Sequence, residues 1–300
     1  MDYFKKMRNC PGGRIQEPVV RTDAKNASFT IRPCSCMFGP FRGIPMISQI
    51  HTPSEHGFPE TADIDTASDD YATRFAGPAG AWMLEVQERI TLGFVARSGA
   101  RTILDVGGGH GQLAAPLCRE GYDVTVLGSD ARCRRRIAGI ADSGNCRFVV
   151  GNVIALPFPD RSFDMAISFR LLTHCSRWPE LAGELCRVAR AGIIVDYPTS
   201  QSVNVIAPGL FQLKKKVETN TRAWALFRHA EVLREFERHG FRKRARKAQF
   251  FLPMVLHRML KSRGLSAALE GACRGLGLTA LAGSPAILWL ARNNSETRAR

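Results

Sequence analysis

The residues best suited to chemistry are glycines that follow an acidic residue in the segment ILDVGGGHGQ. Asp105 ends a predicted β-strand, and Gly107, Gly109 and Gly111 form a turn that leads into a predicted helix. Glycines let the backbone approach a ligand closely, and a helix N-terminus presents free N–H groups. A dinucleotide turn needs G-x-G-x-x-G, but Gln112 stands at its third glycine. The segment predicts a ligand site that does not hold NAD, with a plain strand-to-helix connection as the alternative.

From residue 101 the chain alternates between strand patterns and helix patterns. Such alternation is typical of a parallel sheet with crossover helices, so the fold class is predicted to be α/β. Strands are predicted over 101–106, 123–127, 146–150, 163–169 and 192–197, with one more ending near 252 and a last one over 286–291. Helices are predicted over 111–120, 130–141, 179–190, 223–239 and 254–273.

The first part of the chain differs from this pattern. Residues 1–65 show neither a helical nor a strand period and are rich in Pro, Gly, Ser and Thr. They are predicted to be a mostly irregular extension, with a composition compatible with disorder. Residues 66–300 are predicted to be one domain, which opens with an amphipathic helical pattern after Asp69.

Composition and charge exclude several classes of protein. The 300 residues are 45% hydrophobic and 23% charged, which is ordinary for a globular chain. The nine cysteines are odd in number and irregularly spaced, so we expect free thiols and no metal site. The formal net charge is +15, and residues 211–300 hold 19 Lys and Arg against 6 Asp and Glu. This asymmetry indicates an anionic partner, with a solvated basic face as the alternative.

Two segments carry a resemblance to a known family. ILDVGGGHG resembles motif I of the class I S-adenosylmethionine (SAM) dependent methyltransferases, and residues 148–192, which include LPFPDRSFD, are similar to the type-11 group. The resemblance covers about residues 70–200. It implies a Rossmann-like seven-stranded sheet with an antiparallel last strand and helices on both faces. It also implies S-adenosyl-L-methionine as cofactor and acceptor-side insertions at about 197–222 and 253–277.

The resemblance also implies roles for individual residues. The turn glycines match the positions of the family motif that lie under the methionine portion of SAM, and Asp105 matches the acidic residue that ends the first strand. Asn152 stands where the family has an Asp that contacts the adenine amino group, and Phe169 matches a position beside the sulfonium. Tyr71 and Arg74 lie in the helical segment that in this family closes over the cofactor.

One position departs from the family pattern. The family ends its second strand with an Asp or Glu that holds the ribose hydroxyls, but this chain has Gly128 there. The nearest carboxylate along the chain is Asp130, which either reaches the ribose or caps the following Arg-rich helix. If the ribose contact is lost, SAM binds more weakly.

The segment after the fourth strand bears on the methyl acceptor. FRLLTH contains neither a Pro-Pro-aromatic motif for exocyclic base amines nor a Pro-Cys pair for attack on cytosine. A small-molecule or lipid-linked acceptor is therefore favoured over nucleic acid. His174 is the candidate base, because a neutral imidazole suits proton removal near pH 7, and a hydrogen-bonded positioning role is its alternative. Cys175 is expected to be a buried small residue.

Location and the competing functions follow from the same features. No apolar run approaches the roughly 18 residues of a spanning helix, and the N-terminal residues lack a signal-peptide pattern, so a cytoplasmic protein is expected. The basic residues 242–247 and the basic amphipathic pattern of 254–273 predict peripheral contact with the anionic inner face of the membrane. The alternatives are a charged edge strand over 242–247 and a helix over 254–273 that packs against the sheet. Gly128 leaves open a methyltransferase-fold protein that acts as a binding or partner subunit without catalysis. The basic C-terminal third leaves open a nucleic-acid methyltransferase.

Overall fold

The sheet of this protein contains every strand that the sequence predicted. The computed structural model describes residues 57–108, 111–141, 144–203 and 225–293. The strands in this part of the chain are β1 (Thr102–Val106), β2 (Asp123–Gly128), β3 (Cys146–Val150), β4 (Phe163–Ser168), β5 (Ala189–Tyr197), β6 (Phe241–Ala248) and β7 (Ala286–Arg292). They form one sheet in the order β3-β2-β1-β4-β5-β7-β6.

The direction of the strands places several chain segments at one edge of the sheet. Strands β1 to β5 run parallel, and β7 runs antiparallel to both β5 and β6. Asp105 on β1 pairs with Val126 on β2 and with Ile167 on β4. The carboxyl ends of these three strands therefore lie side by side. The predicted α/β fold with an antiparallel last strand is confirmed.

Helices cover both faces of the sheet. They are α1 (Ala62–Thr66), α2 (Asp69–Thr73), α3 (Gly77–Ser98), α4 (Ala114–Arg119), α5 (Ala138–Ala141), α6 (Trp178–Val188), α7 (His229–Arg238), α8 (Met254–Leu260), α9 (Arg263–Gly275) and α10 (Leu278–Ala282). Two 3₁₀ turns span Ala131–Arg136 and Leu172–His174. Pro78 lies in the first turn of α3, where its missing N–H costs no hydrogen bond.

The core is split by the sheet because side chains alternate along each strand. On one face, Leu104 and Ile193 pack with residues of α6 and α7, among them Leu185 and Phe236. On the other face, Ile103 packs with the residues of α3 and α4, which include Phe94 and Leu117. Because β4 is buried on both faces, its sequence FDMAIS is nearly continuously apolar.

Some helix boundaries differ from the prediction. The helix expected over 254–273 is divided into α8 and α9, because Lys261 adopts a left-handed conformation with φ 51°. Ser262 then caps α9 by accepting a hydrogen bond from the N–H of Leu265. The helix expected over 130–141 consists of a 3₁₀ turn followed by the short α5. The helix expected from residue 223 begins at His229.

The structure describes the end of the predicted extension and not its beginning. All described residues fall in the unit Ser48–Arg300. Residues 1–65 were expected to be mostly irregular, and within them Ala62–Thr66 is a short helix in which Ala62, Asp63 and Thr66 are buried. Residues 1–56 lie outside the described residues, as does most of the expected insertion over 197–222. The division of the chain into an extension and a domain stays a prediction.

Candidate functional site

The glycine turn is built in the way that the sequence predicted at the positions that the structure describes. Gly107 and Gly111 have φ values of +75° and +64°, a region that other residues rarely adopt. The Gly107 N–H donates to the Leu127 carbonyl at 2.8 Å, which fixes the turn to the end of β2. An added Cβ on Gly107 would lie 2.9 Å from Leu171 Cδ2. Gly109 lies outside the described residues.

Gly108 is a glycine of the turn that the sequence analysis did not single out. An added Cβ there would lie 2.2 Å from Oδ2 of Asp105, so this position admits no side chain unless the carboxylate moves. The three consecutive glycines at 107–109 were the available signal. Asp105 is 3% exposed, and burial raises the pKa of its carboxyl group to about 7. The turn thus holds a carboxyl group that changes charge near neutral pH.

Arg170 is a second residue that the sequence analysis missed. It follows β4 directly and has a φ of 60°, which is uncommon for a residue with a side chain. Its guanidinium lies 4.2 Å from the ring centre of Phe75, and its N–H groups donate to Tyr71 Oη at 3.1 Å and to Gln87 Oε1 at 3.0 Å. These contacts hold a cation at the carboxyl end of β4, beside the glycine turn.

Asp196 fixes the backbone of Arg170. Its Oδ1 accepts a hydrogen bond from the Arg170 N–H at 2.5 Å, and the residue is 3% exposed. Burial raises the pKa of this carboxyl group to about 6, and the nearby Arg170 opposes that rise. Asp196 thus acts as a positioning residue, because it helps to hold Arg170 in its left-handed conformation.

Tyr71 and Arg74 reach the same edge of the sheet. Tyr71 lies in α2, and its hydroxyl accepts the hydrogen bond from Arg170. The Arg74 guanidinium lies 4.9 Å from the ring centre of Tyr71. The structure therefore brings Tyr71 to the end of β4. Arg74 packs on the Tyr71 ring.

The end of β2 differs from the family pattern in two ways. An added Cβ on Gly128 would lie 2.8 Å from Cys133 Cβ, so the site leaves no room for a carboxylate on this residue. Asp130 caps the 3₁₀ turn, because its carboxylate accepts hydrogen bonds from the backbone N–H and the guanidinium of Arg132. These hydrogen bonds lower the pKa of Asp130. Of the two roles considered for Asp130, the structure shows the cap.

A segment before the glycine turn crosses this edge of the sheet. We call residues 60–69 the N-terminal strap. Glu60 accepts hydrogen bonds from the Ser176 hydroxyl and from the Arg177 N–H, just before α6. Asp63 accepts hydrogen bonds from the N–H and the hydroxyl of Ser129, just after β2. Because β1 lies between β2 and β4, the strap passes over the end of β1.

The other predicted residues lie at the expected strand ends. Asn152 follows β3 and is half-buried, and its Oδ1 accepts the N–H of Ile154 at 3.1 Å. Phe169 follows β4 and is 8% exposed. His174 ends the short turn Leu172–His174 and is half-buried. Burial raises the pKa of the Cys175 thiol to about 12, so this thiol stays protonated, as expected of a buried small residue.

The described residues contain neither a metal-ion site nor a membrane-spanning helix. Among the described residues, no group of His, Cys, Asp and Glu side chains is arranged to hold a metal ion. Cys10, Cys34 and Cys36 lie outside that part of the chain. The helices of the described ranges are all too short or too polar to cross a bilayer.

The sequence matches a known domain family over the segment that builds this site. Residues 104–195 match the family described as Methyltransferase domain. An uncharacterized methyltransferase of Mycobacterium sp. (strain JLS) is 37% identical over 94 residues, which are 31% of this chain and 36% of the relative. The 24-methylenesterol C-methyltransferase 2 of Oryza sativa subsp. japonica is 34% identical over 119 residues, 37% of this chain and 32% of the relative. The chain thus spans about a third of the length of these curated relatives.

Solved structures agree on the fold. Magnesium protoporphyrin IX methyltransferase from Synechocystis PCC 6803 with bound SAH superposes with a TM-score of 0.53 at 14% identity. The match covers 77% of this chain and 100% of that chain. The same enzyme with bound SAM gives a TM-score of 0.51. Residues 104–195 are thus similar to the Methyltransferase domain family, and the described sheet shares its fold with these solved structures.

Proposed function

We propose that this protein is a SAM-dependent methyltransferase that acts on a small-molecule or lipid-linked acceptor. The observation that carries the proposal is the glycine turn at the end of β1, with buried Asp105 beneath it and the positioned guanidinium of Arg170 at the end of β4. The sterol and protoporphyrin methyltransferases among its relatives and structural neighbours support a small-molecule acceptor.

The residues present fit SAM as the cofactor. The glycine turn lets the backbone approach a ligand closely, and it admits no side chain at Gly107, Gly108 or Gly111, since each added Cβ would lie within 3 Å of a protein atom. We assign Asp105 to the cationic amino group of the methionine portion and Phe169 to its apolar part. Asn152 is assigned to the adenine, and Gly109, which lies outside the described residues, completes the proposed turn.

When bound, SAM supplies a methyl group on a sulfonium centre that is attacked in line by the acceptor. The protein's task is to align the two reactants and to exclude water. Tyr71, with Arg74 behind it, and Arg170 are placed to close one side of the site. His174 is proposed to accept the proton that the acceptor loses, because it follows β4 on the same edge and a neutral imidazole can take a proton near pH 7.

A lipid-linked acceptor is supported by a surface that combines cations with exposed apolar side chains. Residues 241–293 hold ten Lys and Arg and a single acid, Glu270, which is buried. In the same region Leu276 and Leu281 are 76% and 78% exposed. Arg246 donates to the Ala280 carbonyl, which joins the basic strand β6 to α10. We propose a cytoplasmic protein that binds the anionic inner face of the membrane through this surface.

Co-sedimentation with liposomes tests this location. The wild type is expected to pellet with anionic liposomes and not with neutral ones, and pelleting should fall as salt rises. The double variant Leu276→Ser, Leu281→Ser should pellet less than the wild type. Lys243→Glu should reduce the binding to anionic liposomes and make that binding less sensitive to salt. Equal and negligible pelleting with both kinds of liposome would leave the basic residues as a solvated face.

Two other functions remain as outcomes of direct tests. A binding or partner subunit without catalysis is favoured by Gly128, which leaves β2 without its usual carboxylate. It is supported if purified protein binds neither SAM nor S-adenosylhomocysteine (SAH) at millimolar concentration in titration calorimetry. A nucleic-acid methyltransferase is favoured by the basic C-terminal third. It requires binding to random RNA or DNA that weakens steeply with salt.

A further inference from the structure

The N-terminal strap carries a buried carboxylate that the glycine-turn chemistry does not use. Asp63 is 1% exposed. Its Oδ2 accepts the Ser129 N–H at 2.6 Å and the Cys133 thiol at 3.5 Å, and its Oδ1 accepts the Ser129 hydroxyl. All these donors are neutral. A carboxylate removed from water without a cation is costly, so its presence calls for a function.

The position of this carboxylate supplies that function. In nucleotide-binding sheets of this kind, a carboxylate at the end of the second strand, about 20 residues after the glycine turn, accepts hydrogen bonds from the ribose hydroxyls. In this chain Gly128 occupies that strand end and has no room for a side chain. Asp63 reaches the same place from another element, since it is bound to Ser129, the next residue.

We propose that Asp63 is the residue that binds the ribose hydroxyls of the cofactor, in place of the carboxylate missing at Gly128. This inference rests on the proposed function. A carboxylate offers about four acceptor sites, and the Ser129 hydroxyl can rotate away to release one of them to a ribose hydroxyl. Because Asp63 lies on the strap, the ribose contact would also tie the cofactor to this segment.

The test is a comparison of two ligands on matched variants of the full-length protein by titration calorimetry. The ligands are SAH and its 2′,3′-dideoxyribose analogue, which differ only in the ribose hydroxyls. Asp63→Asn keeps the shape of the side chain and removes its charge. Asp65→Asn makes the same change on an exposed residue of the same helix and is the control. The thermal unfolding midpoint of each apo variant reports whether it is folded.

Asp63→Asn is expected to weaken SAH binding by about tenfold to a hundredfold, because charge-assisted hydrogen bonds are lost. It should bind the dideoxy analogue as well as the wild type does. Asp65→Asn should match the wild type with both ligands.

Two results would overturn the inference alone. One is an equal loss of affinity for both ligands in Asp63→Asn, which means that Asp63 only positions the strap. The other is unchanged SAH affinity in that variant. Absence of SAH binding by the folded wild type would instead overturn the proposed function, and this inference with it.

Discussion

The guanidinium of Arg170 lies 4.2 Å from the ring centre of Phe75, although 94 residues separate them in the chain. The same guanidinium donates to Tyr71 and Gln87, which lie on the helices before the glycine turn. These contacts join the segment before β1 to the end of β4. Any ligand that lies over the carboxyl ends of β1 and β4 therefore meets a cation that is already held in place. The Arg170 side chain then loses little conformational entropy when the ligand binds.

Arg170→Lys is expected to weaken SAH binding by about tenfold, because an ammonium group cannot bond both Tyr71 and Gln87 while stacking on Phe75. Titration calorimetry measures this change. Arg89→Lys, on an exposed position of α3, is the matched control and should have no effect. SAH affinity that is the same in Arg170→Lys and the wild type would exclude Arg170 from the cofactor site.

Gly108→Ala tests the packing of the glycine turn. The new methyl group would lie 2.2 Å from Asp105 Oδ2, so the carboxylate or the turn must shift. We expect SAH binding to fall by at least about tenfold while the protein stays folded by circular dichroism. Gly139→Ala, where nothing lies within 4 Å of the added Cβ, should leave binding unchanged. If both variants bind SAH like the wild type, the turn does not form the cofactor cradle.

Stability should depend on pH through two buried aspartates, Asp105 and Asp196. Burial raises the pKa of Asp105 to about 7 and that of Asp196 to about 6, above their ordinary value of 3.8. The protonated forms are thus favoured in the folded state. The stability that they contribute is complete below about pH 4 and is lost as the pH rises through 6 and 7.

The melting temperature of the ligand-free protein should therefore fall between pH 5 and pH 8. Asp105→Asn should flatten this dependence, since its side chain stays neutral. Asp160→Asn, at an exposed position, should leave the slope as in the wild type. A melting temperature that rises between pH 5 and pH 8 in the wild type would contradict the buried, protonated state of these groups.

Glu270 stabilises the region that carries the exposed leucines. Its carboxylate is buried and accepts hydrogen bonds from the N–H groups of Phe251 and Leu252, and it lies 3.1 Å from His257 Nε2. Glu270→Ala leaves these buried donors without a partner and should lower the free energy of unfolding by about 3 kcal/mol. Denaturant unfolding measures the loss, and Glu237→Ala, at an exposed position of α7, is the control. Equal stability of the two variants would show that the buried network contributes little.

The sequence predicted the sheet because each strand has a local signature. The apolar run of β4 and the glycines after Asp105 could be identified from neighbouring residues alone. The sequence did not reveal Arg170 or Asp63, because their partners lie far along the chain: Phe75 for the first and Ser129 for the second. Gly108 was missed for a different reason. A side chain at this position is excluded by the Asp105 carboxylate, whose orientation is known only from the folded protein.

The candidate site shows the same division between local and distant information. The cap formed by Asp130 depends on Arg132, two residues away, and was one of the two predicted roles. A side chain at position 128 is excluded by Cys133 and Phe148, which pack against Gly128. This packing cannot be predicted from the spacing of residues in the sequence. Sequence patterns thus located the edge of the sheet where we propose that the ligand binds. The residues that complete the site follow from tertiary packing.

We propose that the carboxyl edge of this sheet binds SAM for methyl transfer. Titration calorimetry of the purified wild type with SAH tests this binding, because SAH is the product that remains when SAM has given up its methyl group. We predict one site per chain with micromolar affinity, and a lower affinity in Gly108→Ala. Absence of heat at millimolar SAH from protein that unfolds cooperatively would contradict the claim.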